Sequence, residues 1–213
     1  MNQIVYDYIE EYIDKTHRKN DDFFESLRAY AEENHIYIVK RPVEQFLITF
    51  LSSLKPKKIL ELGTAIGYSA LLMHKFSGGA KVTTIERDDS VLELAKKNIE
   101  KGGAKDDIRC IFGEASEVLE SLNDTYDLIF IDAAKGQYRA YFDECVKKLN
   151  KGGVIITDDV LYMGMTATDT LFRKKHDTII KRLREYLDYI CKDERFHTVI
   201  LPIGDGVAVT YIK

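Results

Sequence analysis

The chain has 213 residues, 45% of them apolar and 31% charged, a balance that builds one well-buried core and excludes disordered, collagenous and repeat architectures. With 31 Lys and Arg against 35 Asp and Glu the formal net charge is −4, so the molecule offers no general attraction to nucleic acid or anionic membrane, and only a local basic patch would supply one. At roughly 100 to 200 residues per domain, the expectation is a single domain over residues 1–213 with no linker-like run.

Ile4, Val5, Tyr8, Ile9, Tyr12 and Ile13 recur at helical spacing. A second helix is predicted to start at Asp22, with Glu25 three residues on as a capping box. Pro42 suits the first turn of a third helix with the apolar face Val43, Phe46, Leu47, Phe50, Leu51 and Leu54, ended by Lys55-Pro56-Lys57. Residues 1–54 therefore read as a helical N-terminal extension integral to the domain. Short apolar runs then alternate with amphipathic stretches. Strands are predicted at 58–62, 81–86, 108–112, 126–132 and 154–158, and helices at about 69–76, 90–101, 116–122 and 139–149. That β-α-β-α order implies a parallel sheet with helices on both faces. A helix-like stretch runs from Tyr162 to about Lys192, and two β runs, 198–203 and 207–212, are joined by Gly204-Asp205-Gly206. The last pair is a hairpin, so one C-terminal strand runs antiparallel in an α/β sheet of seven mostly parallel strands. No stretch approaches the ~18 apolar residues of a membrane span, and Met1-Asn2-Gln3-Ile4-Val5-Tyr6-Asp7 has neither the basic nor the apolar region of a leader, so neither is expected. Cys110, Cys145 and Cys191 have no metal-ligand spacing and read as reduced thiols, so a cytoplasmic protein is expected.

Ligands of open α/β sheets bind beyond the carboxyl ends of the strands, and here those ends are acidic. The first strand runs into the turn Glu61-Leu62-Gly63-Thr64-Ala65-Ile66-Gly67-Tyr68-Ser69, and the second ends in Glu86, a carboxylate placed to grip a ribose diol. Gly63-x-x-x-Gly67 lacks the G-x-G-x-x-G spacing that cradles a pyrophosphate, which weakens a nicotinamide reading. S-adenosylmethionine (SAM), with an adenosine, a sulfonium and no phosphate, suits the acidic ends better. The fourth strand ends in Asp132-Ala133-Ala134-Lys135-Gly136 and the fifth in Asp158-Asp159, so three carboxylates should converge. Such crowding repels unless a cation intervenes, and oxygen ligands favour Mg²⁺, with Mn²⁺ able to occupy the same oxygens. The competing reading makes these aspartates turn and helix caps.

At these residues the sequence resembles the class I SAM-dependent methyltransferases, and within them the metal-dependent catechol and caffeoyl-CoA O-methyltransferase family. Ile59-Leu60-Glu61-Leu62-Gly63-Thr64-Ala65-Ile66-Gly67-Tyr68-Ser69-Ala70 resembles the family's first motif, Phe130-Ile131-Asp132-Ala133-Ala134-Lys135 its metal and lysine motif, and Ile156-Thr157-Asp158-Asp159-Val160-Leu161 its second metal motif. Within the family, Ala133-Ala134-Lys135-Gly136-Gln137-Tyr138 and the chain's ending look most like the bacterial tRNA 5-hydroxyuridine methyltransferases. The resemblance implies a Rossmann-like fold and SAM contacts at Val39, Glu61, Gly63, Ser69 and Glu86, with Glu114 and Ala115 beside the adenine and Asp132 near the methionine end. It further implies metal ligation by Asp132, Asp158 and Asp159, catalysis by Lys135 with Asp132, and a homodimer. Lys135 would accept the acceptor's proton or hold its oxyanion, provided its pKa is lowered by the nearby ion. The family usually has Asp-Asn where this chain has Asp158-Asp159, which keeps the oxygens and adds negative charge.

Catechol and 5-hydroxyuridine both present adjacent oxygens that one ion can chelate. The first expectation for the acceptor is therefore 5-hydroxyuridine in the tRNA anticodon region, giving 5-methoxyuridine; the alternative is a small catechol-like or caffeoyl-CoA-like molecule. For RNA speaks the basic stretch Arg173, Lys174, Lys175, Lys181, Arg182 and Arg184, extended by Lys15, His17, Arg18, Lys19, Lys40 and Arg41. A solvated helix face explains the same charges. Tyr138, Tyr141, Tyr162 and Phe172 are candidates for stacking on a base. A non-catalytic RNA-binding or SAM-sensing module is the reading from another class.

Overall fold

The computed structural model describes residues 4–171 and 174–213. Three helices, α1 Asp7–Thr16, α2 Asp22–Glu33 and α3 Arg41–Leu54, precede an alternating series: β1 Lys58–Leu62, α4 Tyr68–Phe76, β2 Lys81–Glu86, α5 Asp89–Lys101, β3 Ile108–Phe112, α6 Ala115–Ser121, β4 Tyr126–Ile131, α7 Tyr138–Val146 and β5 Leu149–Thr157. The chain closes with α8 Asp177–Lys192, β6 Phe196–Leu201 and β7 Val207–Ile212. All seven strands form one sheet in the order β3-β2-β1-β4-β5-β7-β6. β1 to β5 pair in parallel, and β7 lies antiparallel to β5 and to β6, as the sequence predicts.

Neighbouring residues of each strand enter opposite layers, which is why the central strands read as unbroken apolar runs. Ile59, Leu128, Phe130 and Ile156 pack with α2, α3, α4 and α5, while Leu60, Leu62, Ile129, Ile131 and Ile155 pack with α6, α7 and α8. The extension belongs to the first layer through Phe24, Leu27, Val43, Leu47 and Leu51, all of them buried. Strand order reverses between β1 and β4, and the carboxyl ends flanking that reversal open a crevice where such sheets bind ligands.

Several local expectations shift. α2 does begin at Asp22, but its cap is Asp21, whose carboxylate accepts from the Phe24 amide at 3.1 Å. Glu25 reaches back to the Asn20 amide at 3.2 Å, so the box is one residue longer than predicted, and the same carboxylate pairs with Arg41. α8 starts at Asp177 and not near Tyr162: residues 162–171 form turns, with positive φ at Tyr162, Met163 and Gly164. β5 begins at Leu149, five residues before the predicted start at 154, because its first residues pair with Tyr126 across a bulge. Among the described residues no helix is long and apolar enough to cross a membrane.

Candidate active site

A cleft of about 710 Å³ lies at the carboxyl ends of β1, β2, β4 and β5. One side is the turn between β1 and α4. Gly63 and Gly67 hold φ of +100° and +82°, Ala65 holds +44°, and Asn98 Nδ2 fixes the Ile66 carbonyl at 2.9 Å. Glu86 Oε2 accepts from the Ala65 amide at 3.1 Å, and its Oε1 accepts from the amides of Arg87 and Asp88 at 2.9 and 3.1 Å. Three backbone donors thus fix the orientation of this carboxylate, and one acceptor site, on Oε2, is left for a ribose hydroxyl.

Glu61 does not line the cleft; it is fully buried beneath the turn. The Thr84 hydroxyl donates to its Oε2 at 2.5 Å and Oε1 has no partner. Burial pushes its carboxyl up to about 8, against the opposing effect of the Ser69 and Thr84 hydroxyls and with further upward pressure from Asp132 and Glu86. Val39, Gly63, Ser69, Glu86, Glu114 and Ala115 do line the cleft. Glu114 is held by the Tyr141 hydroxyl, which donates to Oε1 at 2.7 Å.

The acidic side is built at two strand ends. Asp132 follows β4, and Asp158 and Asp159 follow β5, with Asp159 in the left-handed region at φ +58°. Asp159 donates its amide to Asp158 Oδ1 at 2.7 Å and turns its own carboxylate onto Lys135 Nζ, also at 2.7 Å. Burial pushes Asp132 up to about 7, helped by Asp159 and opposed by Lys135. Burial also raises Asp158 well above the carboxylate range, with Asp132 and Asp159 adding repulsion. For Lys135, burial works downward, but Asp159, backed by Asp132 and Asp158, outweighs it and leaves the ammonium above its ordinary value. In the protein alone the neighbouring carboxylates thus keep Lys135 protonated, and an ammonium so placed suits an oxyanion; the lowering that a general base requires would have to come from a cation bound among them.

All-oxygen donors that repel one another fit a hard divalent cation. The expected convergence of three carboxylates is, however, incomplete. Among the described residues no three acidic, histidine or cysteine side chains are already grouped to hold a metal, because Asp159 closes onto Lys135 and Asp158 takes a backbone amide.

The basic residues do not gather at the cleft. Of those predicted for RNA that lie among the described residues, only Lys40 lines it. Arg41 is engaged by both oxygens of Glu25 at 3.0 and 2.6 Å, and Arg182 donates to the Gly136 carbonyl at 3.1 Å. Lys174 and Lys175 sit exposed in a 3-10 turn before α8, and Arg173 and Phe172 lie outside the described residues. Tyr138 is buried and donates to the Asp158 carbonyl at 3.0 Å, whereas Tyr141 and Tyr162 line the cleft.

Sequence reasoning passed over Asp205, read only as part of a turn. Its carboxylate accepts from the Met163 amide at 2.7 Å, and the backbone of residues 205 and 206 accepts from Leu161 and Val160 at 2.9 Å each, so the β6–β7 turn clamps the segment after β5. Tyr37, which lines the cleft while 95% exposed, gave no signal either.

Residues 15–212 match the family profile described as O-methyltransferase. Over 183 residues the chain is 30% identical to a caffeoyl-CoA O-methyltransferase of Populus kitakamiensis, with 79% of this chain and 76% of that protein covered. In structure it is similar to a Staphylococcus aureus protein provisionally named a caffeoyl-CoA O-methyltransferase, at a TM-score of 0.90 and 33% identity over 97% of this chain and 100% of that one. It is likewise similar to an O-methyltransferase from Bacillus cereus in complex with S-adenosylhomocysteine (SAH), at a TM-score of 0.84 and 25% identity with 97% of each chain covered.

Proposed function

The chain belongs to the O-methyltransferase family, and from that premise we propose that it transfers a methyl group from SAM to a hydroxyl of a small catechol-like or caffeoyl-CoA-like acceptor. The observation that carries this reading is one cleft lined both by the glycine turn with its pinned Glu86 and by Asp132, Lys135, Asp158 and Asp159. In-line displacement needs the donor carbon and the acceptor oxygen held in register. Glu86 is oriented for the ribose diol, Glu114 and Ala115 for the base, and Ser69 and Gly63 for the methionine end. As the oxygen–methyl bond forms, the sulfur–methyl bond breaks and its electron pair neutralises the sulfonium, while the acceptor proton is released to water. Lys135 Nζ holds the acceptor oxygen in its anionic form. Asp132, Asp158 and Asp159 would hold a divalent cation, Mg²⁺ or Mn²⁺, which when bound supplies Lewis-acid polarisation of the hydroxyl.

A small acceptor is favoured over the tRNA wobble base by the caffeoyl-CoA relatives and by the engagement of Arg41 and Arg182 within the protein. Incubation with methyl-labelled SAM, offering catechol, caffeoyl-CoA and tRNA bearing 5-hydroxyuridine in parallel, tests both choices. Label is expected in a small acceptor, lost with EDTA and restored by Mg²⁺. Label in tRNA alone would overturn the acceptor class, and turnover indifferent to chelation would overturn the metal.

Glu86→Ala removes the acceptor of three backbone amides and the proposed ribose grip. Loss of hydrogen bonds to a charged group is expected to weaken SAH binding roughly 10- to 100-fold. Isothermal titration of SAH reads this directly, and an unchanged affinity would place the ribose elsewhere.

A further inference from the structure

Behind the donor side of the cleft sits a buried ion pair contributed entirely by the helical extension. Arg28, on α2, is 7% exposed and Glu44, on α3, is fully buried. A single nitrogen of the guanidinium, Nη2, donates to Glu44 Oε2 at 2.5 Å, to the Val39 carbonyl at 3.1 Å and to the Tyr68 hydroxyl at 3.2 Å. The guanidinium carbon also stands 4.9 Å from the centre of the Tyr68 ring, and Glu44 Oε1 is taken by Asn20 Nδ2 at 3.2 Å. Arg28 Nε is buried without a partner, so the group is placed for what Nη2 reaches and not for its own full satisfaction.

Val39 and Tyr68 line the cleft, and Arg28 and Glu44 do not. Val39 belongs to the irregular segment between α2 and α3, where no ladder fixes the backbone, and Tyr68 opens α4 directly after the glycine turn. One cation therefore ties two separate pieces of the wall to the same point. We infer that Arg28, fixed by Glu44, is a positioning residue for the methyl donor: it sets the spacing between the Val39 backbone and the start of α4. This rests on the reading of the cleft as a SAM site.

Three variants test the assignment: Arg28→Met, Arg28→Lys and the double variant Arg28→Met, Glu44→Met. Each is measured for SAH affinity, for KM and kcat, and for thermal unfolding without ligand. Arg28→Met leaves Glu44 buried and unpaired and is expected to lower both Tm and affinity. In the double variant no unpaired charge remains, so Tm recovers. Its SAH affinity is expected to stay down by about tenfold or more, with KM for SAM raised and kcat changed by less than about threefold. Arg28→Lys, whose ammonium carries three donors, is expected to restore affinity. Wild-type SAH affinity in the double variant would overturn the assignment, leaving the pair a support of the fold alone. Absence of SAH binding in the wild type would overturn the donor reading itself, and this assignment with it.

Discussion

Lys135→Met is expected to lower kcat by about 10²- to 10³-fold, the range lost when one donor that stabilises an oxyanion is removed, while KM for SAM stays close to wild type. Methionine keeps the length and apolar volume of the stem and drops the charge, so packing is nearly conserved. The 3-10 turn Lys135–Gln137, separated from the end of β4 by three residues, sets the lysine's place, and its ammonium lies 2.7 Å from Asp159 Oδ2. Two effects follow its removal. The acceptor oxygen loses its counter-charge, which acts on turnover. Asp159 also loses its partner beside Asp132 and Asp158, which acts on stability. A thermal melt separates the second effect from the first. Lys135→Arg is not expected to rescue, because a planar guanidinium cannot stand in for a compact ammonium at one acceptor oxygen. Steady-state kinetics with saturating Mg²⁺ decides the matter: retention of wild-type kcat would reduce Lys135 to a neutralising surface cation.

The sheet was legible in the sequence because its central strands are buried on both faces, so that Ile59-Leu60 or Ile129-Phe130-Ile131 show as continuous apolar runs whatever layer each residue enters. The carboxylates at strand ends were legible for the same reason: once β2, β4 and β5 are placed, Glu86, Asp132 and Asp158 must stand at one edge. What failed depends on contacts distant along the chain. Charge pattern marks Arg41 and Arg182 as basic, but only the folded chain shows that Glu25 and the Gly136 carbonyl claim them. Helical periodicity persists from Tyr162, yet turns replace the helix to residue 171, where the backbone is held by Asp205 and Arg184 from other elements. Asp159 is a different case, open in the sequence and oriented only by the fold. Its place in the sequence predicts a third ligand, while its left-handed backbone and Lys135 decide where its carboxylate goes.

Gly63→Ala is expected to cost about 4 kcal/mol or more of stability, beyond the ordinary range for a point substitution, and to abolish measurable SAH binding. Two penalties combine. At φ +100° an L side chain is strained wherever it points. The added Cβ would also stand 2.0 Å from the Asp132 carbonyl oxygen and 2.9 Å from its carbon, which are backbone atoms that no rotamer change can move aside. Relief requires β1 and β4 to separate at the point where strand order reverses. That motion strains the hydrogen bonds from the Asp132 amide to Leu62 and from the Gly63 amide to Ile85, now 2.9 and 3.0 Å. It also displaces Asp132, so the donor and acceptor halves of the cleft fail together. Gly78, at φ +85° with no atom within 4 Å of where a Cβ would stand, provides the control. Gly78→Ala carries only the backbone strain, about 1 to 2 kcal/mol, and should bind SAH as the wild type does. Urea titrations of the two variants, extrapolated to water, measure the difference. If both lose the same stability, the close approach of the turn to β4 is not what makes Gly63 necessary.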